Sequence, residues 1–433
     1  MGGVEDIMDK IVVRGGVPLH GSVCVSGMKN AALPILYACV LVNGKCTIEN
    51  VPDVSDIRMS VDILRDMGAH IERISNETYE IDCTNFRPGT SRPELVKKLR
   101  ASYYLLGAEL GKFGRAHVSF PGGCNFGGAR PIDQHMKGFE ALGATVVSQE
   151  PSTPEKSFIT MTTEDGTIGS DVYFDTITVG GTINIMLASV LAKGNTVIEN
   201  AAREPHIVDL ANFLNTCGAR ISGAGTDVIK IRGVKELRGS SYAIIPDMIE
   251  AGTYMIAAAA TGGCVRVTNV IPKHLEAITG KLEDVNVIVE EQDDAVIVTG
   301  KGLITSTRVK TRPYPGFPTD MHPQMSTLLT IAHGTSIITE GVYDNRFKYA
   351  DELVKMGADI KVSGHTAVVS GVDNLHGAKV RAVDLRAGVA MVIAGLMAEG
   401  ETEITDIQLI ERGYDDIVGK LKSLGANIEK VIC

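Results

Sequence analysis

Short apolar runs recur along the chain, each ending at or near a glycine and most followed by a segment rich in β-branched residues. The runs are residues 31–42, 103–110, 183–192, 254–260, 324–332 and 388–398. Each is shorter than the roughly 20 apolar residues that a helix needs to span a bilayer. A helix that is apolar on all sides must instead be surrounded by protein. The runs therefore predict six buried helices.

A second pattern alternates with these runs. It is a short segment that ends in a Gly-Ala pair, which we call a tag. The glycines are Gly68, Gly143, Gly218, Gly357 and Gly425, and residues 282–288 hold a degenerate copy. The spacing of about 70 residues is too long for a solenoid repeat but suits a small α/β module. Residues 56–67 alternate charged and apolar positions at helical spacing, and the glycine fits a helix C-cap. Each unit is predicted to run strand, buried helix, strand, amphipathic helix, strand, strand.

These units predict the domain organisation of the chain. We expect an α/β protein with six repeated βαβαββ units, three per domain. Residues 10–25 precede the first unit and must pair elsewhere, so the chain should cross between domains near 25–29 and 239–246. The predicted domains are 29–244 and, together, 1–28 plus 245–433.

Composition excludes several classes of function. The net charge of −10 argues against a general nucleic-acid or membrane surface, since either partner requires a basic face. Eight scattered cysteines with no Cys-x-x-Cys pair favour free thiols in a reducing compartment over disulfides or a zinc site. Residues 1–6 lack the apolar core of a signal peptide, so we expect a cytoplasmic protein. A Gly-x-x-x-x-Gly-Lys-Ser/Thr phosphate loop is absent from the sequence.

The predicted starts of the buried helices carry most of the candidate chemistry. They lie at residues 29–30, 100–102, 178–182, 247–248, 319–320 and 384–386. A helix start presents free N–H donors and about half a positive charge, so it favours anions. Lys29, Arg100 and Arg386, with Arg130 from a loop, predict a positive cleft between the domains for small, highly charged anions. Any one of these positions, taken singly, could be an ordinary cap.

Asp320 is an acid among these basic positions. It follows Pro318 and Thr319 at a predicted helix start, where an aspartate is commonly an N-cap. The alternative is a general base for a hydroxyl group, which requires a carboxylate kept ionised by nearby cations. The sequence leaves both open. His322 is a weaker candidate and is expected to be structural.

The segment 120–133 contains Cys124 among four glycines and then Arg130. Glycine at this density lets the backbone approach a ligand closely, and a neighbouring arginine favours the thiolate form of a cysteine. A free cysteine is more often a small buried hydrophobe. Because this segment offers no apolar face, we expect Cys124 to be functional.

Taken together, seven motifs resemble one family of enzymes. They are Ser26-Gly-Met-Lys29-Asn30, Pro121-Gly-Gly-Cys124, Arg130-Pro-Ile-Asp133, residues 199–205, Phe317-Pro-Thr-Asp320, Asp384-Leu-Arg386 and Arg412-Gly-Tyr414. From about Lys10 to the C-terminus the chain resembles the UDP-N-acetylglucosamine 1-carboxyvinyltransferases of bacterial peptidoglycan synthesis. The resemblance implies a two-domain inside-out α/β barrel. It also implies transfer of enolpyruvate from phosphoenolpyruvate to the 3-hydroxyl of the sugar nucleotide, with no metal or organic cofactor.

The resemblance also implies roles for individual residues. Cys124 would protonate the methylene carbon of phosphoenolpyruvate, and Asp320 would take the proton of the sugar hydroxyl. Lys29, Arg130 and Arg412 would bind the phosphate, with Arg386 near the carboxylate. The residues expected at the UDP-sugar are Asn30, Arg100, Arg130, Pro131, Ile132, Asp133, Gln134, Thr178, Val179, Gly180, Asp320 and Val342.

The sequence departs from the family pattern at three positions. Met248 stands where the family usually has arginine, the segment from Cys124 to Arg130 is one residue longer, and Thr176 replaces a lysine of some members. The first two departures motivate an alternative, a catalytically weak paralogue that senses UDP-sugars. 5-Enolpyruvylshikimate-3-phosphate synthase, a second alternative, lacks the Gly-Gly-Cys loop.

Overall fold

The computed structural model describes residues 9–89, 92–97, 99–119, 132–149, 158–300 and 302–432. The described residues form two compact units. The continuous unit contains those between 27 and 245, and the split unit contains 9–26 together with those between 246 and 432.

The strands of the continuous unit lie between Val42 and Ala243. They are β3 (Val42–Asn43), β4 (Lys45–Glu49), β5 (His70–Ser75), β6 (Thr78–Asp82), β7 (Arg115–Ser119), β8 (Thr145–Gln149), β9 (Phe158–Thr162), β10 (Asp171–Tyr173), β11 (Asn195–Glu199), β12 (Ile221–Ser222), β13 (Val228–Arg232), β14 (Leu237–Arg238) and β15 (Ser241–Ala243). Those of the split unit are β1 (Lys10–Arg14), β2 (His20–Cys24), β16 (Cys264–Thr268), β17 (Ile288–Glu291), β18 (Ala295–Thr299), β19 (Arg308–Lys310), β20 (Thr335–Thr339), β21 (Asp359–Ser363), β22 (Thr366–Ser370), β23 (Lys379–Arg381), β24 (Glu401–Thr405) and β25 (Asn427–Val431).

Helices alternate with these strands. The α-helices are α1 (Lys29–Ala38), α2 (Ser55–Asp66), α3 (Pro93–Val96), α4 (Tyr104–Phe113), α5 (Asp133–Ala141), α6 (Val179–Ser189), α7 (Pro205–Thr216), α8 (Met248–Ala260), α9 (Pro272–Asp284), α10 (His322–Leu329), α11 (Ala350–Lys355), α12 (Leu385–Met397) and α13 (Ile417–Ser423). Short 3-10 helices lie at Cys39–Leu41, Arg100–Tyr103, Thr319–Met321 and Ile407–Arg412.

Five of the sheets have four strands in one arrangement. Their orders are β15-β4-β6-β5, β10-β11-β13-β12, β17-β18-β16-β2, β19-β20-β22-β21 and β23-β24-β1-β25. In each, one edge strand pairs in parallel with the strand that follows a buried helix, and the other pairs are antiparallel. This confirms the predicted βαβαββ unit, because a buried helix leads into one strand of every parallel pair. In three of these sheets the same helix also connects the two strands of the pair, as a parallel pair requires.

The second repeat of the continuous unit differs from this pattern. Within the described residues its sheet has three strands, in the order β7-β9-β8. The parallel edge strand expected before α4 is replaced by turns and the short helix α3. Pro88 and Pro93 lie in this segment, and proline cannot donate a backbone hydrogen bond to a sheet.

Both crossings of the chain place a strand in a sheet distant in sequence. In the split unit, β1 lies between β24 and β25, and β2 pairs in parallel with β16. In the continuous unit, β15 pairs in parallel with β4. Thus β2 and β15 are each the parallel edge strand of a sheet, and the neighbouring strand in that sheet is distant in sequence.

The six predicted buried helices are confirmed as α1, α4, α6, α8, α10 and α12, which form the core of each unit. Every residue of α8 is buried. In the split unit α8, α10 and α12 contact one another, and in the continuous unit α4 contacts both α1 and α6. No helix of the described chain has the length and apolarity needed to cross a bilayer.

The Gly-Ala tags end the outer helices in Schellman motifs. At the first tag, Gly68 has φ 97°, its N–H donates to the Arg65 carbonyl, and the Ala69 N–H donates to the Leu64 carbonyl. The degenerate copy is the same motif, with Asn286 at φ 70° in place of glycine. Asparagine tolerates the left-handed region better than other non-glycine residues. All six tags therefore have one structural role.

Candidate active site

Asp320 lies in the 3-10 helix Thr319–Met321, which leads directly into α10. Its Oδ2 accepts hydrogen bonds from Arg386 Nε at 3.1 Å and Nη2 at 3.0 Å. Its Oδ1 accepts from Arg346 Nη2 at 3.0 Å. The Asp320 side chain is 28% exposed, whereas those of Arg346 and Arg386 are 2% and 4% exposed. Two buried cations thus hold an accessible carboxylate.

Local capping fixes Arg386 at the start of α12. Asp384 is the N-cap, and its Oδ1 accepts from the backbone N–H groups of Arg386 and Ala387. The guanidinium lies over the Tyr414 ring, 5.5 Å from its centre. Burial disfavours the charged form of Arg386, but Asp320 and Tyr414 outweigh it and the pKa is raised. Arg386 therefore remains a cation inside the protein.

Arg346 was not predicted from the sequence. It follows β20 in the segment 340–349, and the Glu340 carboxylate accepts hydrogen bonds from the backbone of this segment. The buried Glu340 carboxylate accepts from the N–H groups of Val342 and Tyr343, at 2.7 and 3.0 Å, and from the Thr319 hydroxyl at 2.9 Å. This carboxylate links the segment that carries Arg346 to the helical turn that carries Asp320.

In the continuous unit, Lys29 is the first residue of α1 and is only 7% exposed. Its Nζ donates to Asp56 Oδ2 at 3.0 Å, and Asp56 lies in the first turn of α2. Asn30 follows Lys29 in the same helical turn and is partly exposed. A cation and an amide are thus presented together at one helix start.

A second cluster in this unit surrounds the start of α6. The Thr178 side chain caps the helix by accepting from the Gly181 N–H at 3.1 Å, which leaves Val179 and Gly180 as its first two residues. Arg100 begins a 3-10 helix and lies over the Tyr103 ring, 5.4 Å from its centre. Tyr103 in turn contacts His135 of α5.

The first turn of α5 carries further predicted residues. Ile132 is the N-cap and Asp133 the first helical residue. Gln134 Nε2 donates to Asp133 Oδ2 at 2.9 Å and to Asp175 Oδ2 at 3.2 Å, and its Oε1 accepts from the Asp175 N–H at 2.9 Å. Gln134 thus links α5 to the segment that precedes Thr178.

The sequence of this chain matches one family model and is similar to those of known enzymes. A sequence model of the EPSP synthase (3-phosphoshikimate 1-carboxyvinyltransferase) family matches residues 13–421. The chain is 55% identical over 425 residues to a UDP-N-acetylglucosamine 1-carboxyvinyltransferase of Clostridium botulinum, covering 98% of this chain and 100% of the relative. The chain belongs to the UDP-N-acetylglucosamine 1-carboxyvinyltransferase family. UDP-N-acetylglucosamine 1-carboxyvinyltransferase 2 of Clostridium acetobutylicum is 54% identical over 424 residues, covering 98% and 99% of the two chains.

Among solved structures, the enolpyruvyl transferase NikO from Streptomyces tendae has a TM-score of 0.86 at 24% identity, covering 98% of this chain and 99% of NikO. This similarity establishes the two-domain fold of the enolpyruvyl transferases. The predicted family and fold class, and the prediction that the protein is an enzyme, are confirmed.

For a UDP-N-acetylglucosamine 1-carboxyvinyltransferase, the bonding of Asp320 is informative. A helix N-cap would accept hydrogen bonds from backbone amides of the following turn. Asp320 instead has its two oxygens on two arginines, and no side-chain cap is formed at either helix start beside it. Asp320 is therefore not a helix cap, and its role as a general base stays a prediction.

Two other predicted residues lie in the split unit, and three lie outside the described residues. Arg412 ends the 3-10 helix Ile407–Arg412, and Val342 is 38% exposed beside Glu340. Cys124, Arg130 and Pro131 lie outside the described residues.

His322 and Met248 have structural positions. His322 is fully buried against Phe347 and Tyr349, and burial with nearby Arg346 lowers its pKa to about 3. Met248 is the first residue of α8, behind the N-cap Asp247, and is 8% exposed. In the described part of the chain, no His, Cys, Asp and Glu residues cluster as a metal site.

Proposed function

We propose that this enzyme transfers the enolpyruvyl group of phosphoenolpyruvate to the 3-hydroxyl of UDP-N-acetylglucosamine and releases phosphate. The observation that carries the proposal is the accessible Asp320 carboxylate, held by two buried arginines in a chain 55% identical to a carboxyvinyltransferase named for this sugar nucleotide. The product would be the first committed precursor of peptidoglycan, made in the cytoplasm.

Asp320 accepts the proton of the sugar hydroxyl as that oxygen attacks C2 of phosphoenolpyruvate. A carboxylate between two guanidinium groups is held in its ionised form, which is the form a general base requires. The arginines also fix its orientation, because a guanidinium donates along fixed directions. One face of the carboxylate remains accessible to a substrate hydroxyl.

Cys124 supplies the second proton. Its thiol protonates C3 of phosphoenolpyruvate while the C2–O bond to the sugar forms, which gives a tetrahedral intermediate with a methyl group. The bond between C2 and the phosphate oxygen then breaks. The thiolate takes a proton back from the methyl group, the enol ether forms, and phosphate leaves with the proton held by Asp320. The thiol can also add covalently to phosphoenolpyruvate.

Cations bind the charged groups of phosphoenolpyruvate. We assign Lys29, Arg130 and Arg412 to the phosphate and Arg386 to the carboxylate. Asp56 holds the Lys29 ammonium at the start of α1, beside the N–H donors of the helix. Each charge-assisted contact contributes about 1.5–3 kcal/mol, so loss of one should slow turnover about tenfold or more.

We propose that the sugar nucleotide binds chiefly to the continuous unit, within 29–244. The candidates Asp320, Arg386, Arg412 and Val342 belong to the split unit. The start of α6 offers backbone N–H donors for the diphosphate, and Arg100 offers a cation. The further candidates are Asn30, Arg130, Pro131, Ile132, Asp133, Gln134, Thr178, Val179 and Gly180.

The test is phosphate release from phosphoenolpyruvate with each of two acceptors. We expect release with UDP-N-acetylglucosamine and none with shikimate 3-phosphate. Release with shikimate 3-phosphate alone would refute the proposal. Binding of UDP-N-acetylglucosamine without turnover would instead support a sensor of UDP-sugars, the alternative that Met248 motivates.

A further inference from the structure

His135 is a buried histidine that no sequence motif indicated and that has no role in the proposed mechanism. It lies on α5 and is 5% exposed. Its Nδ1 lies 2.9 Å from Asn184 Nδ2, and within the described chain no group is paired with its Nε2. A Cβ placed on Gly180 would lie 3.1 Å from that Nε2. The unpaired nitrogen therefore lies at the start of α6.

Hydrogen bonding determines which ring nitrogen carries the proton. The Gly107 N–H donates to Asn184 Oδ1 at 3.0 Å, and a backbone N–H can only donate. The Asn184 oxygen therefore lies toward Gly107, and its amide nitrogen lies toward His135. Because Asn184 Nδ2 donates to His135 Nδ1, that nitrogen has a lone pair. The proton of the neutral ring is on Nε2.

The ring is neutral at physiological pH. Burial and, to a lesser extent, nearby Arg100 lower the pKa of His135 to about 4, whereas Asp133 opposes the change. Among the described residues, the charged and titratable groups near the ring are Arg100 and Tyr103 of one segment and Asp133 of α5 itself. Nε2 is thus a permanent hydrogen-bond donor.

The other hydrogen-bond donors at the start of α6 indicate which kind of ligand His135 Nε2 would bind. The N–H groups of Val179 and Gly180 have no acceptor among the described residues, because the Thr178 side chain caps only Gly181. Arg100 adds a cation near the ring. Neutral donors, helix amides and a guanidinium together suit anionic oxygens.

We propose that His135 is a further binding residue for the sugar nucleotide, with its Nε2–H donating to a diphosphate oxygen held at the start of α6. Asn184 is the positioning residue that keeps the proton on Nε2. Asn184 lies in the core and does not touch the ligand itself. This inference rests on the proposed function for its ligand and adds two residues to it.

A matched pair of variants tests the donor. In His135→Gln the side-chain amide nitrogen can occupy the position of Nε2 and donate in its place. In His135→Asn the shorter side chain reaches only the position of Nδ1, so the Nε2 donor is lost. We expect His135→Asn to weaken the affinity for UDP about tenfold or more, measured by titration calorimetry, and His135→Gln to weaken it less. Uridine, which has no diphosphate, should bind both variants equally well.

The proposal is wrong if His135→Asn binds UDP as the unsubstituted protein does, or if both variants lose affinity equally. With the full reaction, His135→Asn should raise KM for UDP-N-acetylglucosamine and leave KM for phosphoenolpyruvate unchanged. An unsubstituted protein that binds UDP but releases no phosphate would refute the proposed function and leave this inference standing.

Asn184→Asp tests the positioning role, including the case in which the His135 variants do not fold. The new carboxylate still accepts from Gly107 but now draws the proton to Nδ1, so Nε2 keeps a proton only while the ring is an imidazolium. The UDP affinity of this variant, relative to the unsubstituted protein, should therefore fall as the pH rises from 7 to 9. A ratio that does not change with pH would overturn the role of Asn184.

Discussion

Arg386 donates from both Nε and Nη2 to a single carboxylate oxygen of Asp320, at 3.1 and 3.0 Å. The second oxygen accepts from Arg346. Because each oxygen has its own guanidinium, the carboxylate cannot rotate without breaking a charge-assisted hydrogen bond. The proposed general base is therefore set in orientation before a substrate binds.

Asp320→Asn should abolish turnover while UDP-N-acetylglucosamine still binds. The amide cannot accept the sugar proton, and its NH2 group would face a guanidinium donor. We expect kcat to fall roughly 100-fold or more, as for loss of a general base, with Kd for the sugar nucleotide within about threefold. Asp373→Asn, at an exposed site, is the control. Normal turnover of Asp320→Asn would remove its role as base.

Arg346→Lys should lower kcat about tenfold with little change in the thermal midpoint. Lysine keeps the positive charge but lacks the planar donors that orient Asp320. The measurement is steady-state kinetics with both substrates, and Arg312→Lys, an exposed site, is the control. Unchanged kcat would show that Arg346 does not position the base.

Glu109 should make stability fall as the pH rises. It is fully buried on α4, its oxygens accept from the N–H groups of Gly89 and His117, and burial raises its pKa from 4.5 to about 7. The folded state therefore favours the protonated form. Its contribution, about 3 kcal/mol, is complete below pH 4.5 and is lost as the pH rises through 7.

Urea unfolding midpoints at pH 5 and pH 8 test this linkage. The difference between the two midpoints should be smaller in Glu109→Gln than in the unsubstituted protein, and unchanged in the control Glu94→Gln, an exposed site. An unchanged difference in Glu109→Gln would show that this carboxyl group does not titrate in the pH range.

Cys124 should be the residue modified by fosfomycin, a thiol-reactive epoxide that mimics phosphoenolpyruvate. The four buried cysteines Cys39, Cys46, Cys83 and Cys217 should remain unmodified. The pKa of Cys83, for example, is raised by burial to about 12, so little of its reactive thiolate is present. Mass spectrometry of the intact and digested protein checks this prediction. A label on another cysteine, or none, would count against Cys124 as the proton donor.

The repeat architecture could be predicted because its signals are local. A buried helix and a glycine C-cap each depend on a few neighbouring residues, so the six units were visible in the sequence. The three-stranded sheet β7-β9-β8 was not predicted, since the tag at Gly143 fits the same pattern as the others. The prolines before α4 were the signal that could have indicated it.

Periodicity could predict residues of the candidate site only where they begin helices. Lys29, Arg100 and Arg386 recur at equivalent positions of the repeats, so their register indicated them. Arg346 reaches Asp320 through a loop that follows β20, and no periodicity marks it. Similarly, the donor role inferred for His135 depends on an amide of another helix, Asn184, which only the folded chain brings to it.

The central claim is that this enzyme joins an enolpyruvyl group to oxygen 3 of UDP-N-acetylglucosamine. The most direct test is nuclear magnetic resonance of the sugar nucleotide after incubation with phosphoenolpyruvate and the protein. We predict a new vinylidene group coupled through the ether oxygen to carbon 3 of the sugar, formed in step with phosphate. An unmodified sugar nucleotide, or an enolpyruvyl group on another oxygen, would contradict the claim.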